Sequence, residues 1–180
     1  LPLILERMAR EAPLVELEVV PMEIERVAEW LAIGKVDAAI ASTPIPGNLH
    51  STAVLMEETY RCLVHEDFPV ENDRISMKAF QEARHAIVTP VTGHRLPERV
   101  IEELGIHRKT TVVLHHFSVL PPIIDKCDLI AIVPKGVADS FVGRWPVKIV
   151  DLPFPVPSFQ VRLHWQARDR ESAAQSWFHE

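Results

Sequence analysis

Cysteine is scarce in this chain: two residues in 180, Cys62 and Cys127, in no metal-like spacing. They read as free, buried thiols of a reducing compartment rather than as a disulfide. Glycine is scarce too. The six present include no G-x-G-x-x-G, so no loop of the usual kind cradles a phosphate, and no G-x-S-x-G frames a nucleophile. Nine histidines occur without an H-x-x-x-H or C-x-x-C pattern to hold a metal; His115 and His116 adjoin, while His85, His94 and His107 stand alone. The four tryptophans, at 30, 145, 165 and 177, are too scattered for a base-stacking platform. Positive charge is in deficit, 19 Lys and Arg against 25 Asp and Glu, and a net charge of −6 repels phosphate backbones. No apolar run approaches the ~20 residues that cross a bilayer, and the opening residues show no pattern of n-region, h-region and cleavage site. These absences predict a chain with no cofactor, no metal and no catalytic role.

What is there is a core. Apolar residues make up 47% of the chain, enough for one ordinary domain or two small lobes. The organising stretch is LAIGKVDAAIAST over residues 31–43. A helix ends at Gly34, where a C-cap favours positive φ. Asp37 then heads the apolar run 38–41, which predicts a strand covered on both faces. Ser42 and Thr43 place hydroxyls at the carboxyl end of that strand, where open α/β sheets bind small ligands.

Upstream, Leu1, Ile4, Leu5, Met8 and Ala12 mark a helix, and the alternation of LVELEVV predicts a strand over 14–20. Downstream, apolar periods predict strands over 51–56, 59–65, 85–89, 109–115, 129–133, 148–152 and 160–165. Helices are expected over 76–83 with Ser76 as N-cap, 96–104 with Pro97 and Gly105 at its ends, 118–125 capped by Ser118, 137–141 and 171–178. Such alternation argues for parallel α/β sheets. The chain is expected to cross between lobes near 58–60 and in the proline-rich stretch 151–157. Leu1 enters a helical pattern without an initiator Met, as expected of a piece of a longer protein.

Several segments in order resemble one family: LPLILERMAREAP, LAIGKVDAAIA, ETYRCLVHEDFP, ISMKAFQEARHAIVTPVTGH, HHFSVLPPIIDKCDLIAIVPKGVAD and LPFPVPSFQVRLHWQAR, closed by Trp177 and Phe178. Together they are similar to the effector-binding domain of LysR-type transcriptional regulators, and within it to regulators of aromatic degradation and nodulation, which answer salicylate-like acids or flavonoids. The resemblance implies an α/β fold of two Rossmann-like lobes joined by two crossover strands, like a type 2 periplasmic binding protein. Lobe I would hold 1–58 plus 155–180, and lobe II 59–154. The family's N-terminal winged helix-turn-helix is not in this sequence, nor is the strand that normally opens its effector domain.

For function, the resemblance implies a small aromatic or carboxylate co-inducer held between the lobes of a cytoplasmic bacterial regulator. It points to Ser42, Thr43, Thr89, Gly93, His94, His116 and Phe117 as ligand-binding residues; Phe154, in the proline-rich crossover, is a further candidate for a ligand wall. The chemistry of these residues suits that use. Helix starts after His94 and near Ser118 offer free N–H groups to a carboxylate, and Phe117 offers an aromatic wall. Plainer roles stay open: Thr43 and Thr89 each precede a proline and could be turn hydroxyls, and Phe154 could be core. The family also implies a homodimer or tetramer built through the first helix and 14–20, DNA contact only through the missing domain, and no membrane contact. The alternative reading is a periplasmic-type solute-binding protein on the same scaffold.

Overall fold

A computed structural model describes residues 2–42, 44–45, 50–89, 95–166 and 177. Its strands are β1 (Ala38–Ala41), β2 (His50–Glu58), β3 (Tyr60–His65), β4 (Arg84–Val88), β5 (Lys109–Leu114), β6 (Leu129–Pro134), β7 (Val147–Val150) and β8 (Phe159–Gln166). They form two sheets, one ordered β1–β8–β2 and the other β5–β4–β6–β3–β7. The helices are α1 (Pro2–Glu11), α2 (Val27–Ala32), α3 (Met77–Glu82), α4 (Leu96–Glu103), α5 (Leu120–Cys127) and α6 (Lys135–Asp139).

The chain leaves the first sheet through β2, turns at Thr59, and enters the second as β3. It returns through residues 151–158 into β8. Strands that leave and return through one sheet must run in opposite directions, so β2 and β8 pair antiparallel, as do β1 and β8. The expectation of parallel sheets therefore holds only in part. Parallel pairs are β4 with β5 and β4 with β6, while β3, the incoming crossover, runs antiparallel to both β6 and β7.

The second sheet is covered on both faces. One core packs Phe80, Ile101, Ile75 and Phe154 against Tyr60, Cys62, Val64 and Ile130 of the sheet. The other packs Leu120, Ile124 and Ala138 against Leu63, Ala86, Ala131 and Val133. Hence Leu63, which alternation alone would place with the wetter Arg61 and His65, is fully buried. The first sheet is thinner: Val27 and Leu31 of α2 close over Ala41 and Ile45. β1 is an edge strand, and Ile40 is 50% exposed rather than covered as expected.

Three terminal signals of the sequence hold. Gly34 and Gly105 follow α2 and α4 with φ of +71° and +62°. The Ser76 hydroxyl accepts from the Ala79 N–H at 3.1 Å and caps α3. The Ser118 cap does not form: residues Phe117–Val119 make a 3-10 turn that runs into α5, whose N-cap is Val119 without a side-chain bond. The expected strand over 14–20 is absent from both sheets, and Leu14, Val15 and Val19 are exposed. A strand exists only as part of a ladder, and no described residue pairs with this one. In α1 only Met8 is buried, and Leu3 and Leu5 face outward. Both cysteines are free, but Cys127 is exposed at the end of α5, not buried. The expected helix over 171–178 lies outside the described residues except for Trp177, which is helical and donates to the Glu11 carboxylate.

Candidate functional site

The parallel strands of the second sheet end toward the crossovers, at Val88 of β4 and Leu114 of β5. Thr89 extends that pairing by one rung, its N–H donating to the Leu114 carbonyl at 2.7 Å, and it is buried. The next turn of chain after β5 carries His116, exposed in an extended conformation, and then Phe117, half-buried. His115 is exposed as well, so neighbouring imidazoles on opposite sides of the strand end both reach solvent. Pro97 at the start of α4 closes the rim from the other direction.

These elements enclose a cavity of about 10 Å³ lined by Tyr60, Val88, Pro97, Glu98, Arg108 and Phe117. That is close to the least volume that holds one water. The site is therefore a rim with a small depression, and a ligand the size of a benzoate needs the rim to open. Its charged lining is an ion pair. Arg108, with a side chain 8% exposed, donates to the Glu98 carboxylate. Tyr60 stacks its ring 4.8 Å from that of Phe159, at the mouth of the returning crossover. Burial pushes the Tyr60 phenol well above its ordinary pKa, so its hydroxyl stays protonated.

Behind the rim a buried imidazole is fixed in its neutral form. His85 bonds through Nε2 to the Phe80 carbonyl at 2.7 Å, and Phe80 stands edge-on to its ring at 4.6 Å. Burial is the main cause that lowers its pKa to about 4, with the Arg108 charge adding to it and the Phe80 carbonyl and Glu98 opposing. The carbonyl requires a donor, so Nε2 carries the proton. Phe154 packs edge-on to the other side of Phe80, with ring centroids 5.3 Å apart. It is 6% exposed and belongs to the core under the site.

Of the residues expected from sequence, Thr89 and Phe117 come together at the end of the β4–β5 pair, with His116 beside Phe117. Ser42 lies at the end of β1 on the first sheet, half-buried. Thr43, Gly93 and His94 lie outside the described residues. Sequence reasoning missed Tyr60, Glu98 and Arg108. Tyr60 is the chain's single tyrosine and sits at the crossover, which was a usable signal. The ten-residue separation of Glu98 and Arg108 carried none. No group of three metal-ligating side chains and no helix long and apolar enough to cross a membrane occurs among the described residues.

Comparison with known proteins agrees with this architecture. The family model for the LysR substrate binding domain matches residues 1–180. Nodulation protein D 1 of Mesorhizobium japonicum is 28% identical over 179 residues, covering 98% of this chain and 57% of that protein. The chain thus spans a little over half the length of such curated relatives. Among solved structures, the regulatory domain of MexT, a transcriptional activator in Pseudomonas aeruginosa, superposes with a TM-score of 0.84 at 20% identity, covering 99% of this chain and 88% of that one. The Synechocystis PCC6803 CcmR regulatory domain, solved in complex with 2-PG, gives 0.80 at 15% identity, covering 99% and 86%. The fold is that of the type 2 periplasmic binding proteins.

Proposed function

The chain belongs to the LysR substrate binding domain family, the effector-binding regulatory part of bacterial transcription factors, and we propose that it takes a small aromatic or carboxylate co-inducer in the cleft between its two sheets. The observation that carries this reading is the convergence of Val88, Phe117 and Tyr60 on one depression at the carboxyl ends of the parallel strands, with Thr89 the next residue after Val88 and bonded to the Leu114 carbonyl. Phe117 and Tyr60 supply apolar walls, Thr89 a hydroxyl, and His116 an exposed imidazole beside them. Ser42, half-buried at the end of β1, is assigned to the cleft with Thr43, Gly93 and His94 on the family resemblance. Phe154 contributes by supporting the wall from beneath.

In this reading lobe I holds 1–58 plus 155–180 and lobe II holds 59–154. The whole protein is a cytoplasmic regulator that reaches DNA through a separate domain. It acts by ligand-biased lobe orientation and not by catalysis. The effector shifts that orientation by no more than its difference in affinity for the two arrangements. The subunits pair through α1 and 14–20, where Leu3, Leu14, Val15 and Val19 offer apolar surface.

A thermal-shift screen against salicylate, benzoates, other aromatic acids and flavonoids tests the effector class. A binder at 100 times its Kd adds about 2.7 kcal/mol, a clear rise in melting temperature. No shift with any of these compounds would overturn the aromatic-acid assignment.

A further inference from the structure

Of the four described glycines, Gly34, Gly105 and Gly143 have positive φ and a conformational reason to be glycine. Gly136 does not, yet a Cβ there would fall 2.5 Å from Oε1 of Glu58. Glu58 is the last residue of β2, on the first sheet, while Gly136 lies in α6 beside the second. The Gly136 N–H donates to Glu58 Oε2 at 3.1 Å. One residue earlier, the Lys135 N–H donates to the carbonyl of Thr59, the single-residue crossover, at 2.8 Å. Two successive amides of α6 thus grip the outgoing crossover at its turning point.

The returning crossover is built differently. Pro153, Pro155 and Pro157 bring no N–H groups, so this segment has few backbone bonds to lose when it changes course. It is fastened to the outgoing strand at both ends, by Ser158 Oγ on Glu57 Oε1 at 2.6 Å and by Arg61 Nε beside Asp151 Oδ1 at 3.2 Å. One crossover is a short pivot and the other a proline strap. The bond to Glu58 is made by a side chain, so a substitution can remove it and leave the Lys135–Thr59 backbone bond in place.

We propose that the Glu58 carboxylate is a latch that sets the angle between the two lobes, and that Gly136 is glycine to admit it. The proposal rests on the effector reading for its purpose, since a co-inducer would act by biasing this angle. Its geometry is independent of any ligand. Because the atom a new Cβ would meet is the tip of a flexible side chain, Gly136→Ala displaces the carboxylate and opens the latch without disturbing the helix.

The test is the distance between a spin label on the exposed native Cys127 and one on Glu29→Cys in α2, measured without ligand in chains diluted with unlabelled protein; buried Cys62 does not react. Glu58→Ala and Gly136→Ala should each move or broaden the distance distribution by several ångström. Glu58→Gln, which keeps an acceptor oxygen, should retain the wild-type distribution, and the Glu58→Ala, Gly136→Ala double variant should match the single ones. Melting curves establish that each variant is folded; if Gly136→Ala is not, Glu58→Ala carries the test. Distributions for Glu58→Ala and Gly136→Ala that superimpose on wild type would overturn the latch. Because no effector is added, that result is separate from a failed ligand screen.

Discussion

Arg108 reaches back across the turn between α4 and β5 to donate to Glu98, and its side chain is four times less exposed than that of its partner, 8% against 32%. The pair is thus asymmetric: the cation is sunk in the lining of the site, and among the described residues the Glu98 carboxylate is the acid paired with it. Removing the carboxylate strands a desolvated charge. Glu98→Ala is expected to destabilise the domain by about 1–3 kcal/mol, below the cost for a fully buried pair because Glu98 keeps some solvent. Replacing both residues with apolar ones should cost less than Glu98→Ala alone. Denaturant titration of the three proteins checks this, and equal losses would contradict it.

His85 makes stability depend on pH. Its pKa is lowered in the fold from 6.5 to about 4, so the unfolded chain binds a proton between these values that the folded chain refuses. Stability is therefore fully present above pH 6.5 and falls as pH drops toward 4, by on the order of 2 kcal/mol at pH 5 from this group. His85→Leu loses the bond to Phe80 at every pH, but its melting temperature should fall less than wild type between pH 7 and pH 5. Equal falls would show that His85 is not the group responsible.

Phe80 joins His85 to Phe154 and is fully buried. Phe80→Ala should cost about 3–5 kcal/mol, and Phe80→Leu markedly less. Chemical denaturation measures both. A loss under 1 kcal/mol for the alanine variant would mean that the core closes over the gap.

The exposed apolar residues of 14–20 bear on assembly. Leu14 is 99% exposed and Val19 68%. In a two-fold dimer through this surface, Leu14→Glu with Val19→Glu should give a monomer by sedimentation while leaving the melting curve of that monomer cooperative. A variant that still sediments as a dimer would place the interface elsewhere.

Much of the fold was legible because it is written in local rules. The helix ends at Gly34 and Gly105, the Ser76 cap and the apolar β6 depend only on neighbours a few residues away. What failed depended on distant partners. LVELEVV alternates as a strand should, but alternation cannot supply the ladder neighbour a strand needs. Likewise β3 pairs antiparallel because it enters from another sheet, a fact of topology and not of pattern. At the candidate site, the positions of Thr89 just after β4 and of Phe117 just after β5 follow from strand boundaries legible in the sequence. The Glu98–Arg108 pair could not, because helix and strand bring it together across an interval with no periodic signature.

The most direct measurement is a calorimetric titration of the best ligand from the thermal screen into wild type, Phe117→Ala and Thr89→Ala. The wall at the end of β4 and β5 predicts at least tenfold weaker binding to Phe117→Ala, about 1.4 kcal/mol, and a smaller loss for Thr89→Ala, with both variants shown to be folded by cooperative melting without ligand. Wild-type affinity in both variants would contradict a site on this rim.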